Sequence, residues 1–185
     1  MNDNEKYILE AIRTRVWSGY ESADEIQELI DDILEDDTDE EYLRAQVKIE
    51  FEKKFDDEKT WPAETDCDRL DRVFTQLNSG NIVALQNAGY TMSDGLSDVG
   101  ELWHESGTFA LGYCFFHGQD LERAVSGGGL MLAFGDFQDD EVKKLEVGKA
   151  IEVALRAEGL PVEWNRKTDS RIKIFPLDWK RRSAR

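Results

Sequence analysis

Three short polar stretches hold the side chains best suited to chemistry. Asn87 to Asp94 supplies an amide, the Tyr90 phenol, the Thr91 hydroxyl and a carboxylate. His117-Gly118-Gln119-Asp120 adds an imidazole, a second amide and a second carboxylate, and Gly135-Asp136 a third carboxylate. An imidazole that titrates near neutrality can move a proton, and an aspartate beside it can hold its tautomer. With Asn87 and Tyr90 orienting a small ligand, the candidate pocket comprises Asn87, Tyr90, Thr91, Asp94, His117, Gln119, Asp120 and Asp136. The same residues also have structural uses. Thr91, Asp94 and Asp120 suit helix starts, and Gly89, Gly118 and Gly135 suit turns.

Other constellations fail on spacing. Cys114 and His117 would fall on opposite faces of a strand, so Cys114 reads as a core residue rather than as half of a thiol–imidazole pair. Cys67 lies in the first turn of a helix, a more activating place for a thiol, but no histidine is spaced to meet it. His104, near a helix C-terminus, complements the helix dipole. Two histidines and two scattered cysteines offer no zinc-ligand spacing, and the acidic stretch lacks the glycine and oxygen periodicity of a calcium loop, so no metal or cofactor is expected. The run Ser126 to Gly129 precedes a strand, not a helix, and reads as a connector rather than a phosphate loop. No GxSxG, HExxH or Walker pattern occurs.

The elements that must position these stretches follow from periodicity. Residues 4–18 put Ile8, Ala11, Ile12 and Val16 on one helical face, closed by Gly19. Ser22 with Glu25 forms a capping-box pattern ahead of Ile26, Leu29, Ile30, Ile33 and Leu34, and Thr38 with Glu41 repeats it ahead of Leu43, Val47, Phe51 and Phe55. Trp61-Pro62 interrupts the helical pattern and marks a domain boundary. Beyond it, helices near 65–77, 91–103, 119–125 and 139–158 alternate with strands at 82–85, 109–116 and 130–134, and a hairpin at 162–164 and 171–175 ends the order. This alternation predicts an α/β (or α+β) fold, a mixed or largely parallel sheet of about five strands covered by helices. If the first three strands are parallel and adjacent, the three polar stretches share one edge of the sheet. The expected division is an acidic helical segment, 1–60, followed by a domain spanning 61–185.

The strings TDCDRLD (65–71), IVALQNAGYTMSDG (82–95), GYCFFHGQDLERAV (112–125) and GGLMLAFG (128–135) resemble a family of bacterial proteins known only as a domain of unknown function. The resemblance covers roughly 61–182 and implies a recurring α/β domain. It carries no activity, ligand or catalytic residue.

Charge then points to a partner class. The chain carries a formal −17, and between Glu21 and Leu43 twelve carboxylates occur with no lysine or arginine. Such a field repels nucleic acid and anionic membrane and attracts basic surfaces. At the other end, residues 171–185 carry six basic side chains against Asp178, a tail able to dock on the acidic segment. The start MNDNEKYILE lacks a secretory pattern and no apolar run spans a bilayer, so the expected setting is the cytoplasm. The leading expectation is a non-catalytic binding or regulatory protein for a basic protein partner. A small-molecule enzyme or sensor using the pocket above is the alternative, and a DNA-mimic inhibitor a third reading.

Overall fold

The first two helices begin where their sequence caps them. In the computed structural model, which describes residues 1–105 and 109–183, Asn2 and Glu5 form a capping box for α1 (Asp3–Ser18), and Ser22 and Glu25 one for α2 (Ala23–Ile33). Each side chain satisfies a backbone N–H that the first turn leaves without a helical partner. Asp39 caps α3 (Glu40–Glu58) by accepting from the Tyr42 N–H. Ile8, Ile12 and Val16 of α1, Ile26 and Ile30 of α2, and Leu43, Val47 and Phe51 of α3 form one buried cluster. The three helices therefore have a core of their own.

Phe55 is not in that core. It is 43% exposed, and Lys54 is buried in its place, its Nζ donating to the Val16 carbonyl at 2.9 Å. A helix turns 100° per residue, so Phe55 has drifted about 120° from Leu43 while Lys54 lies about 20° away. Repeated steps of four leave the face; a step of three restores it.

The described chain falls into two compact units, Met1–Thr65 together with the residues from Lys180 onward, and Asp66–Trp179. In the first unit the basic tail meets the residues that follow α1 and the C-terminal end of α3. The Arg181 guanidinium stacks on the Tyr20 ring at 4.5 Å, Arg182 donates to the Pro62 carbonyl at 2.6 Å, and the Ser183 N–H reaches Glu58 at 2.8 Å.

The second unit follows the order α4 (Asp66–Ser79), β1 (Ile82–Leu85), α5 (Met92–Glu105), β2 (Gly112–Phe115), α6 (Gly118–Val125), β3 (Leu130–Gly135), α7 (Glu141–Ala157), β4 (Val162–Glu163) and β5 (Ile172–Ile174). Its five-stranded sheet has the order β1-β2-β3-β5-β4 and is mixed: β1 and β2 are parallel, and every other neighbouring pair is antiparallel. Helices α4 and α7 pack against the sheet and each other, while Val99 of α5 joins Phe115, Ala133 and Ala88 in a cluster with Val83 and Tyr113. Close contact of α5 with the sheet depends on Gly95, where a Cβ would lie 2.3 Å from the Phe115 ring. The second strand is shorter than its apolar run, since Phe109 is 87% exposed and the predicted start from 109 is not met. At the edge strand β1, Asn78 donates to the Ala84 carbonyl and accepts from its N–H, both at 2.9 Å, and so occupies backbone groups that would otherwise invite another strand. No described helix is long and apolar enough to cross a membrane.

Candidate functional site

Because β1 and β2 are parallel, the chain leaves Leu85 and Phe115 at the same sheet edge. Three backbone bonds join the two departing loops: Ala88 N–H to Phe116 O at 2.9 Å, Gly118 N–H to Gly89 O at 3.0 Å, and Gln119 N–H to Tyr90 O at 3.2 Å. Gly89 permits the first loop's path, with φ at 53° and its Cα so close to Asp94 that an added Cβ would lie 2.2 Å from that residue's own. Non-glycine side chains disfavour this left-handed region. Two of the three polar stretches thus form one seam.

Within the seam, Asp94 accepts the Thr91 N–H at 2.8 Å, the Thr91 hydroxyl at 2.9 Å and the Tyr90 N–H at 3.2 Å. These bonds, the Thr91 amide first, hold its carboxyl below the usual carboxylate range. Tyr90 lays its ring on Gly118, where a Cβ would come within 2.7 Å of it, and its hydroxyl stands 3.4 Å from Glu122. Asn87 occupies a left-handed turn at φ 51°, and the Gln119 side chain is exposed. Thr91 and Asp94 therefore serve the start of α5.

His117 and Asp120 lie deeper. His117 is 4% exposed and Asp120 1%, and the imidazole Nε2 is 3.1 Å from the Asp120 carboxylate. The same carboxylate pairs with Arg171 and stands 3.8 Å from Arg123. Arg171 also donates to the Met131 carbonyl at 3.1 Å, so the cluster ties α6 to β3 and to the entry of β5. With Asp120 accepting at Nε2, the fitting tautomer carries its proton there and leaves a bare lone pair on Nδ1. That Nδ1 is buried and has no hydrogen-bond partner among the described residues. Burial, opposed chiefly by Asp120, moves His117 below the ordinary imidazole value.

Asp136 does not belong to this site. Because β3 runs antiparallel to β2, its C-terminal residue Gly135 pairs with Tyr113 near the start of β2, at the edge opposite His117. Asp136 there accepts the N–H groups of Gln138 at 2.8 Å and Asp140 at 3.0 Å, and the Tyr113 phenol is raised by burial first, then by Asp139 and Asp136. The seven remaining candidates lie in the seam or at its helix starts.

Sequence reasoning missed two members of the cluster. Arg123 had a signal, the three-residue spacing from Asp120 along a helix. Arg171 had none, because only the β3–β5 pairing brings it near. Both cysteines are buried, and burial raises the Cys114 thiol, consistent with a core role. Among the described residues no group of three or more histidine, cysteine, aspartate and glutamate side chains is placed to hold a metal ion.

Residues 1–183 match the model of a family described as a domain of unknown function, DUF6891. The match is wider than the span suggested by the motifs and takes in the acidic helices. No curated protein and no solved structure matches the chain.

Proposed function

We propose that this chain, which belongs to that family, is a non-catalytic binding protein that receives a basic segment of a partner on the carboxylate face of α2. One observation carries the reading. Glu21, Glu25, Glu28 and Asp32 line an open concavity of about 260 Å³ with Arg15, Ile26 and Leu29. Positions 25, 28 and 32 share one face of the helix, so the carboxylates form a ridge. Two of the four are engaged within the fold, Glu21 by Arg15 at 2.7 Å and Glu25 by the Ser22 N–H at 2.7 Å. Glu28 and Asp32 are exposed and have no ion pair among the described residues. A lysine or arginine can lay its aliphatic stem over Leu29 and place its charge between them.

The test is binding of a fluorescein-labelled, lysine- and arginine-rich amphipathic peptide, followed by anisotropy at about 0.05 M and about 0.3 M salt. Affinity should fall with salt, and Glu28→Lys with Asp32→Lys should weaken it roughly tenfold or more, the scale of losing close charge pairs. Equal affinity of the double variant and the natural chain would sink the proposal. An equal loss when Asp56 and Asp57, on α3, are reversed instead would show only a nonspecific charge effect and sink it too.

A further inference from the structure

We propose that the seam between residues 86–91 and 116–120 is an acid-sensitive latch, held shut while His117 is neutral and released when it takes a second proton. The geometry points there because the closed seam accommodates only one protonation state of this ring. Nε2 faces Asp120 at 3.1 Å, whereas Nδ1 is enclosed with no acceptor among the described residues. A proton added at Nδ1 becomes a buried charged donor without a partner, and such a group is far more costly to keep than a bare lone pair.

The charged groups facing the ring come from three elements. Asp120 and Arg123 belong to α6, Arg171 precedes β5, and Asp94 lies in the first turn of α5; the Tyr90 phenol packs beside Gly118. The two aspartates favour the imidazolium and the two arginines oppose it. Asp120 already serves Arg171 and Arg123, so it has limited capacity to offset a new buried cation. Burial adds to the opposition and is the largest single influence, and the ring titrates below its ordinary value of about 6.5.

The sign follows from that direction. A histidine with a lowered value in the folded state binds its proton more readily once released. The closed seam therefore has its full stability above about 6.5 and loses it as pH falls from there toward the folded-state value, below which the loss levels off. Relief requires the ring to turn out, and His117 lies between Phe116 and Gly118, whose backbone groups make two of the three bonds across the seam. Turning the ring out thus breaks the stitch and uncovers the C-terminal ends of β1 and β2.

Amide hydrogen exchange by NMR at pH 7.5 and pH 5.5, corrected for intrinsic rates, tests this. Ala88, Gly118 and Gln119 should lose several-fold of their protection at the lower pH, up to a ceiling of about tenfold set by a released imidazole that titrates near 6.5, while amides of the separate helical core, such as Ile30, keep theirs. In His117→Gln, whose side-chain amide can still donate to Asp120 but does not titrate, the selective loss should vanish. Unchanged protection in the natural chain, or an equal loss in the variant, overturns the latch. Should the variant fail to fold, nitrogen-detected titration of the two imidazoles decides. The Nε2–H tautomer with a midpoint below about 6.5 supports the latch; an Nδ1–H tautomer or a higher midpoint overturns it.

Discussion

The helical unit and the sheet unit place charge in opposite ways. Along α2 of the helical unit, Asp24, Glu28 and Asp32 face solvent. In the sheet unit, Asp120 and Glu152 are 1% and 5% exposed, and each carboxylate is held by two guanidiniums, Arg171 and Arg123 for the first, Arg156 and Arg166 for the second. Exposed carboxylates shape the field around a protein without choosing its fold. Buried ones must be paired, and the pairs bind segments far apart in sequence: α6 to the entry of β5, and α7 to the loop after β4. Lys54 qualifies the contrast, since this buried cation of the helical unit lies 4.0 Å from Glu58 and donates to a carbonyl at the C-terminal end of α1, where the helix dipole favours positive charge.

Asp120→Ala should give the largest effect. It leaves the His117 Nε2–H and a partly buried Arg171 without their shared acceptor, and losing one partner of a buried ion pair costs about 3–5 kcal/mol. Urea unfolding of the sheet unit measures it. A loss below about 1 kcal/mol, the scale of an exposed pair, would erase the proposed difference between buried and exposed charge.

Glu152→Ala sharpens the rule by changing the partners' exposure rather than the carboxylate's. Arg156 and Arg166 are 55% and 67% exposed, so water can solvate them once the carboxylate is gone. The expected loss is about 1 kcal/mol, near that of an ordinary hydrogen-bond deletion. Glu152 is held below the usual carboxylate range, by the Arg166 hydrogen bonds first. A carboxyl of this kind contributes at neutral pH and loses its contribution as pH falls through its folded-state value, so the stability gap between natural chain and variant should narrow on acidification. A loss equal to that of Asp120→Ala would mean that burial of the carboxylate alone sets the cost.

The sequence makes the local half of this arrangement readable. Ser22 with Glu25 announces α2 because a capping box is a three-residue event, and Thr91 and Asp94 are recognisable as helix-start residues for the same reason. The seam between residues 86–91 and 116–120 is also accessible, since it needs only β1 and β2 to be parallel neighbours. Strand direction is the hidden variable beyond that point. Alternation of helix and strand suggests a return crossover before β3, but α6 has only eight residues, about 12 Å of helix, and β3 instead runs back antiparallel. That reversal removes Asp136 from the site, and the β3–β5 pairing brings in Arg171. Neither has a local signature, because each depends on contacts between segments that the sequence keeps far apart.

The smallest effect should come from the most heavily charged helix. Glu28→Gln and Asp32→Asn remove exposed carboxylates that have no ion pair among the described residues, four positions apart on one face. Like charges at that spacing repel by a few tenths of a kcal/mol, so each change should leave stability within about 0.5 kcal/mol and the pair should shift it slightly upward. Added salt should stabilise the natural chain slightly more than the double variant, because neutralisation has already removed the repulsion between these two positions that screening would weaken. Thermal unfolding at low and high salt separates these outcomes. A substantial loss of stability on neutralisation would show that these carboxylates support the helical core, and the contrast between an outward-facing charge in one unit and a fold-determining charge in the other would fail at its exposed end.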